Sequence, residues 1–230
     1  MGESEVELFT VRMRHATRAI HNTSDALVNA KLGITMSDDS VWAEGLLVFY
    51  EVFKFLEAAL ECHADSLLGE LLLPGMARTA ALEADLAHYL GPRWQEGYVL
   101  RPEVQLYITH LQKLQDENPY MLIPYIYHLY MGLFSGGQVL RAKVSHYCSL
   151  HPSQRSSPCL LNFFDLSCQR FLSLSSMAGG GQDDTERPGN SVTSYGENTI
   201  SGLKKQLRKA VNDVAEHLDD ETKDVSNLIV

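Results

Sequence analysis

The sequence has no CxxC pair and no interleaving of cysteine with histidine, so its four cysteines do not form the ligand pattern of a zinc module. Positive charge is also scarce, because 19 Lys and Arg residues stand against 29 Asp and Glu residues and the formal net charge is -10. A nucleic-acid-binding surface needs a basic face to neutralise phosphates, so that class of protein is disfavoured. We expect reduced thiols and no nucleic-acid partner.

Three further features are missing. The start MGESEVELFT is acidic where a signal peptide is basic and then apolar, which disfavours secretion. No apolar segment of about 18 or more residues is present to span a membrane. Alternating strand-like runs bounded by turn residues are also absent. With 45% hydrophobic residues, the chain is predicted to be one cytoplasmic, all-α domain with a sizeable core.

What is present is helical spacing of apolar residues along most of the chain. This spacing predicts helices from about Glu5 to Ala30, after the cap residue Ser37, over the segment closed by Gly91, and from Arg101 onwards. Another long helix has Pro124 in its first turn. These elements favour a multi-helix bundle.

The C-terminal third is less regular. Residues 176–199 contain three consecutive glycines and few large apolar groups, so we expect a flexible insertion there. A helix resumes at Ile200. The last residues, NLIV, lack a polar cap, and we expect the single domain over residues 1–230 to have a truncated C-terminal end.

The long helix after Pro124 contains the stretch YMGLFSGGQVL. At about 100° per residue, Gly132 and Gly136 lie on one face, with Ser135 beside them and Gly137 further round. Each interior glycine costs about 0.5–1 kcal/mol relative to alanine, so something must approach the backbone closely. Two interpretations stay open: close helix-to-helix contact, or a flat, bulky ligand against exposed backbone at a kink.

The first predicted helix carries a second candidate site in RMRHATRAIHNTSD. Arg14, Arg18 and His21 share a face within about 60° of arc. A neutral imidazole can bind a metal, and the two arginines suit an anionic ligand, although a solvated face would explain them equally well.

Three stretches resemble the haem oxygenase family: ATRAIH ending at His21, LGPRWQE from Leu90 to Glu96, and YMGLFSGGQVL. They occur in order and at compatible spacing, and the resemblance covers most of the chain. It implies a single helical domain that clamps haem between a proximal helix and a kinked, glycine-rich distal helix. The insertion and low similarity after Leu160 indicate an arthropod-type member.

The resemblance also implies a reaction and its partners. Haem b would be both cofactor and substrate, cleaved with oxygen to biliverdin, carbon monoxide and ferrous iron. Electrons would come from an NADPH-dependent cytochrome P-450 reductase, and biliverdin reductase is a further expected partner. The protein would be cytoplasmic and held by its partners at the surface of the endoplasmic reticulum.

By residue match, the resemblance implies that His21 binds the iron, that Gly132, Ser135 and Gly136 are catalytic residues of the distal wall, and that Gly137 contacts the cofactor. The residues expected at the haem propionates are Arg14, Arg18, Tyr127, Lys204 and Arg208. Charge-assisted contacts of this kind fix which edge of the haem faces each wall.

The sequence departs from the family at the distal motif, which usually reads Gly-Asp-x-Ser-Gly-Gly. Leu133 stands at the aspartate position, and Leu129 stands where an arginine is common. Leucine cannot orient the water that donates protons, so we expect slow oxygenation and mixed biliverdin isomers. The alternatives are a haem-binding or haem-sensing protein with little oxygenase activity and, more distantly, a helical interaction protein whose glycine seam packs helices.

Overall fold

The computed structural model describes the backbone of residues 8–20, 22–23, 39–150 and 189–228, and the side chains of 8–20, 22–23, 42–137 and 189–224. Within these ranges all regular structure is helical, which confirms the predicted class. The α-helices are α1 (Phe9–Ala16), α2 (Asp39–Cys62), α3 (Thr79–Leu90), α4 (Pro102–Glu117), α5 (Ile123–Leu150), α6 (Ile200–Glu216) and α7 (Asp220–Leu228). Short 3-10 helices occupy Leu67–Leu71, Pro119–Leu122 and Ser191–Thr193.

Proline and glycine set several helix ends where the sequence predicts them. Pro102 is the first residue of α4, after an extended Arg101, and Pro124 lies in the first turn of α5. Gly91 ends α3 with φ of +93°, a conformation that favours glycine.

The structure differs from the predicted first helix. α1 ends at Ala16, and a turn follows at Thr17, whose hydroxyl donates to the Met13 carbonyl at 2.9 Å. Residues 18–20 and 22–23 are helical again, whereas the predicted cap Ser37 lies outside the described residues. α7 is an addition that the sequence pattern did not predict.

The predicted flexible insertion, 176–199, also differs in part. Residues 176–188 lie outside the described residues. Residues 189–199, by contrast, pack into the protein, and Val192, Thr193 and Tyr195 are buried. The sequence of this segment did not predict its packing, because it is rich in polar turn residues and its contacts are with distant parts of the chain.

The core lies around α2, which packs against α3 and α4. Phe53, Leu56 and Leu60 on α2 are fully buried. α6 contributes one apolar stripe at helical spacing, Leu203, Leu207, Val211 and Val214. Across the part of the chain whose structure is described, no helix has the length and apolar character needed to cross a membrane.

A buried carboxylate joins three helices. Glu57 on α2 is 7% exposed, and its Oε1 accepts hydrogen bonds from the Arg78 backbone N–H at 2.5 Å and from the Tyr130 hydroxyl at 2.7 Å. Its Oε2 accepts the Thr79 N–H at 3.1 Å. Arg78 gives α3 no side-chain cap, so Glu57 satisfies amides that a helix start leaves without partners. Glu57 thereby fixes the start of α3 and the first third of α5 against α2.

Candidate functional site

Two glycines of α5 have nothing packed over them. Among the described residues, a Cβ atom built on Gly132 or Gly136 would meet no neighbouring heavy atom within 4 Å. Both glycines and Ser135 are exposed, and we call these three residues the glycine face. Since no described element packs there, contact with a described helix does not explain glycine at positions 132 and 136. The face presents bare backbone to whatever binds beside it.

The third glycine lies on another side of α5. Gly137 is buried, and a Cβ atom there would lie 3.2 Å from the Thr193 Cγ2 and 3.3 Å from the Leu133 Cδ1. Glycine at this position therefore permits packing against residues 189–199. This separates Gly137 from the glycine face, with which the sequence pattern grouped it.

An apolar cleft of about 470 Å³ reaches α5 at Leu129, three residues before the first residue of the glycine face. Leu129 of α5 lines the cleft and lies within about 60° of both open glycines around the helix. The remaining lining comes from α2, α4 and the residue before α4, with side chains Val48, Phe49, Val52, Arg101, Glu103, Val104 and Tyr107. Phe49 is 49% exposed, so a large aromatic surface is open to a ligand.

Leu133 occupies the position that the resemblance assigns to an aspartate. It is half-buried and packs against the hydrophobic core. No Asp or Glu occurs anywhere in α5. Ser135 is therefore the side chain of the glycine face that carries an exchangeable proton.

Tyr127 is not brought together with the glycine face. It is 1% exposed and lies about 180° from Gly136 around α5. Within the described ranges its hydroxyl has no hydrogen-bond partner. A buried hydroxyl without a partner is costly, so Tyr127 is a candidate to bind a ligand group, although on the opposite side of the helix from the open glycines.

α1 is held in place by α6 and α7. The Thr10 N–H donates to the Asn212 Oδ1 at 3.1 Å, and Arg12 forms an ion pair with Asp224 at 2.6 Å. Leu8, before the first residue of α1, makes no side-chain cap hydrogen bond. Asn212 therefore caps α1 from another helix.

Two rows of cations extend from this α1–α6 hydrogen bond. Arg14 and Arg18 lie four and eight residues after Thr10, which donates this hydrogen bond. On α6, Arg208 and Lys204 lie four and eight residues before Asn212, which accepts it. A spacing of four keeps neighbours on one side of a helix. None of these four side chains forms an ion pair with an acid among the described residues.

Lys204 and Arg208 also affect each other. Partial burial and the neighbouring Arg208 guanidinium lower the pKa of Lys204. A lowered lysine pKa in the folded state means that the unliganded fold disfavours the charged ammonium group. An anion bound beside Lys204 would favour that charge.

His21 lies outside the described residues, and its role as an iron ligand stays a prediction. The side chains of Arg18, Ile20 and Asn22 around it are exposed. Sequence reasoning missed Asn212 and the aromatic wall at Phe49. A single asparagine on an amphipathic helix gives no sequence signal that it caps another helix. The aromatic surface did leave a signal, because adjacent aromatics at positions 49 and 50 lie about 100° apart and are typical of a wide apolar surface on α2.

Comparison with known proteins decides the family. A family profile described as "Heme oxygenase" matches residues 7–166, more than half of the 230-residue chain. This chain belongs to the haem oxygenase family. The match includes α1 and the whole of α2 to α5, and therefore the glycine face and the apolar cleft.

Two relatives agree with this family assignment. Heme oxygenase 1 of Pongo abelii is 32% identical over 135 residues, which is 56% of this chain and 46% of that protein. Heme oxygenase 2 from Chlamydomonas reinhardtii, solved without heme, is 26% identical, covers 96% of this chain and 90% of that chain, and has a TM-score of 0.71. The chain spans about half the length of the curated relatives it matches.

A third comparison concerns the fold alone. Heme oxygenase-1 from the cyanobacterium Synechocystis, solved in complex with heme, is 18% identical with a TM-score of 0.70, over 96% of this chain and 85% of that chain. The fold of this haem oxygenase family member is therefore the all-α bundle of the family.

Alanine substitutions should change the free energy of unfolding in opposite directions at the glycine face and at Gly137. Gly132→Ala and Gly136→Ala should each raise the free energy of unfolding of the unliganded protein by about 0.5–1 kcal/mol, because alanine favours helix and the new methyl group meets open space. Gly137→Ala should lower it, because its methyl group would press on Thr193. Urea unfolding without hemin measures all three changes.

Gly45→Ala is the matched control for these variants. Gly45 lies inside α2 with no atom within 4 Å of its Cβ position, so this variant calibrates the gain from helix propensity alone. A loss of stability in Gly132→Ala or Gly136→Ala would contradict an open glycine face.

Removing the Lys204 charge should have opposite effects on stability and on anion binding. Lys204→Met keeps the aliphatic stem, so the unliganded protein should unfold at a slightly higher temperature, because a disfavoured charge is gone. Binding of hemin, which carries two carboxylates, should weaken about tenfold, or about 1.4 kcal/mol. Absorbance titration measures the dissociation constant.

The controls use a neighbouring lysine and an uncharged ligand. Lys205→Met removes an exposed charge from the next position of α6 and should bind hemin normally. Lys204→Met should bind the dimethyl ester of the haem as the unchanged protein does, since the ester has no carboxylates. Equal losses for both ligands would contradict a carboxylate-binding role.

Proposed function

We propose that this protein is a haem oxygenase, which cleaves haem to biliverdin, carbon monoxide and ferrous iron with oxygen and electrons from a reductase. The observation that carries the proposal is the bare backbone at Gly132 and Gly136 beside an apolar cleft. Family membership supports it, as does the Synechocystis relative of the same fold that is described in complex with heme.

The described residues fit haem in shape and charge. A flat macrocycle can lie against α5 because no side chain projects from positions 132 and 136, and the apolar cleft offers contact for its hydrophobic edge. The anionic edge of haem needs cations, and the unpaired row of Lys204 and Arg208 supplies them. We propose His21 as the iron ligand and Arg14 and Arg18 as further propionate partners.

The glycine face, the cations and the apolar cleft each have a different proposed role. When bound, haem supplies the redox-active iron and is itself cleaved. The glycine face lets the backbone approach closely, which limits the directions open to a reactant beside it. The cation rows orient the molecule through its carboxylates, and the apolar residues of the cleft exclude water. Ser135 is the residue of the glycine face whose side chain has a hydroxyl group.

The proton supply distinguishes this protein from the family pattern. With Leu133 in place of the aspartate, α5 has no carboxylate to hold water at the glycine face. We therefore propose slow turnover and relaxed regioselectivity. The same substitution favours the second candidate function, a haem-binding or haem-sensing protein with weak or no oxygenase activity.

The partners follow from the proposed chemistry. The reaction consumes electrons, so an NADPH-dependent cytochrome P-450 reductase is the proposed donor, and biliverdin reductase is a proposed consumer of the product. Association with the endoplasmic reticulum would come from these partners. The arthropod-type assignment stays a prediction, because it rests on residues after Leu160 that lie mostly outside the described residues.

Hemin binding followed by turnover tests the proposal. The protein should give a Soret band on titration with hemin, and addition of the reductase, NADPH and oxygen should release biliverdin and carbon monoxide. Gly136→Leu should weaken the hemin complex because its side chain would fill the space beside α5, while Ala58→Leu, at an exposed position of α2 outside the cleft lining, should bind normally. Hemin binding without biliverdin would support the sensing alternative; no binding would leave a helical interaction protein.

Restoring the acid tests the proposed cause of slow turnover. Leu133→Asp should speed biliverdin formation by about tenfold or more, because a positioned carboxylate can hold a proton-donating water. Chromatography of the pigments should show several isomers for the unchanged protein. Rapid formation of a single isomer by the unchanged protein would contradict the proposal.

A further inference from the structure

The side of α5 away from the glycine face packs against residues 189–199, which we call the buttress, and α5 also packs against α6. The Phe134 ring packs against the Tyr195 ring with centroids 5.3 Å apart, at an angle of 66°. Gly137 lies against Thr193, so a Cβ atom at position 137 would be 3.2 Å from the Thr193 Cγ2, a tight contact. Any movement of the buttress would therefore change the support of α5 at the glycine-rich turn.

A buried aspartate holds the start of the buttress. Asp85, on α3, is fully buried, and its two carboxylate oxygens accept the Ser191 N–H at 2.7 Å and the Val192 N–H at 2.9 Å. The carboxylate thus binds two successive backbone amides. A buried carboxylate with fixed donors is a directional contact, since neither partner has water as a substitute.

A buried arginine holds the rest of the buttress. The Arg78 guanidinium donates to the Ser194 carbonyl at 2.6 Å and lies 4.3 Å from the centre of the Tyr195 ring. It also donates to the carbonyls of Met76 and Gly75, which join α3 to the preceding chain. Arg78 therefore ties the buttress to the same helix start that Glu57 caps.

The buttress has little structure of its own to replace these contacts. Its regular part is the three-residue 3-10 helix Ser191–Thr193. An isolated turn of this length is not stable alone, so its position depends on the side chains that bind its backbone.

We propose that Asp85 and Arg78 are positioning residues for haem chemistry. They hold the buttress, and the buttress packs against the side of α5 away from the glycine face. The position of the buttress therefore affects the position of the glycine face. Neither residue lies on the glycine face. This inference rests on the proposed haem oxygenase function, but its first step can be measured without haem.

Hydrogen exchange in the unliganded, full-length protein tests that step. Asp85→Asn replaces one acceptor oxygen with an NH2 group, so one of the two buttress amides loses its partner. We expect backbone amides in residues 127–137 to exchange about tenfold faster, together with those of the buttress. Glu83→Gln is the matched control: it also changes an acid to an amide on α3, but Glu83 accepts the Tyr50 hydroxyl of α2, and α5 should exchange normally.

A second pair of variants keeps the test decisive if Asp85→Asn folds poorly. Tyr195→Phe retains the ring that contacts Phe134 and Arg78 and removes a hydroxyl without a described hydrogen-bond partner, so it should behave as the unchanged protein. Tyr195→Leu removes the ring and should accelerate exchange in α5. If either disruptive variant loosens the buttress while α5 exchanges normally, the proposal is overturned.

The hemin-loaded protein tests the second step. With carbon monoxide on the reduced hemin complex, Asp85→Asn and Tyr195→Leu should shift or broaden the C–O stretching band, while Glu83→Gln and Tyr195→Phe should not. The hemin dissociation constant should change little, because the contacts of Asp85, Arg78 and Phe134 with the buttress involve none of the four cations. An unshifted band with faster exchange in α5 would overturn the role in haem chemistry, whereas absence of any hemin complex would count against the proposed function and leave the exchange result intact.

Discussion

The buried carboxylate of Glu57 is the contact on which the arrangement of α2, α3 and α5 depends. Taking a charge out of water is costly unless hydrogen bonds replace the lost hydration, and Glu57 has two backbone amides and the Tyr130 hydroxyl as donors. Burial and the adjacent carboxylate raise the pKa of Tyr130 well above its usual value, so this hydroxyl remains a donor. The same carboxylate therefore caps α3 and holds α5, so the positions of these two helices depend on each other.

The same device recurs at α1. This helix lacks a side-chain cap of its own and receives one from Asn212 of α6. A cap supplied by another helix stabilises the helix start and also fixes where that start lies. This contact bears on the proposed function, because α1 carries Arg14 and leads into Arg18, and α6 carries Lys204 and Arg208.

Local patterns in the sequence were sufficient for most helices and for the glycine face. Pro102, Gly91 and Pro124 act on their own neighbours, so their effects could be predicted. Helical periodicity placed Gly132 and Gly136 on one face but left open whether another helix packs there. The buttress could not be predicted, because its order comes from Asp85 and Arg78, about a hundred residues away in the chain. Long-range polar contacts of this kind leave no periodic signal.

The three glycines of α5 have two different explanations. Each costs about 0.5–1 kcal/mol of helix stability, and the contacts of Tyr130 and Phe134 on the other side of the helix offset that cost. Packing against the buttress accounts for Gly137. Nothing among the described residues accounts for Gly132 and Gly136, where alanine would fit and would favour the helix. A protein that keeps glycine at two such positions gains from close approach of something other than its own described side chains, and a flat ligand is the partner that bare backbone suits.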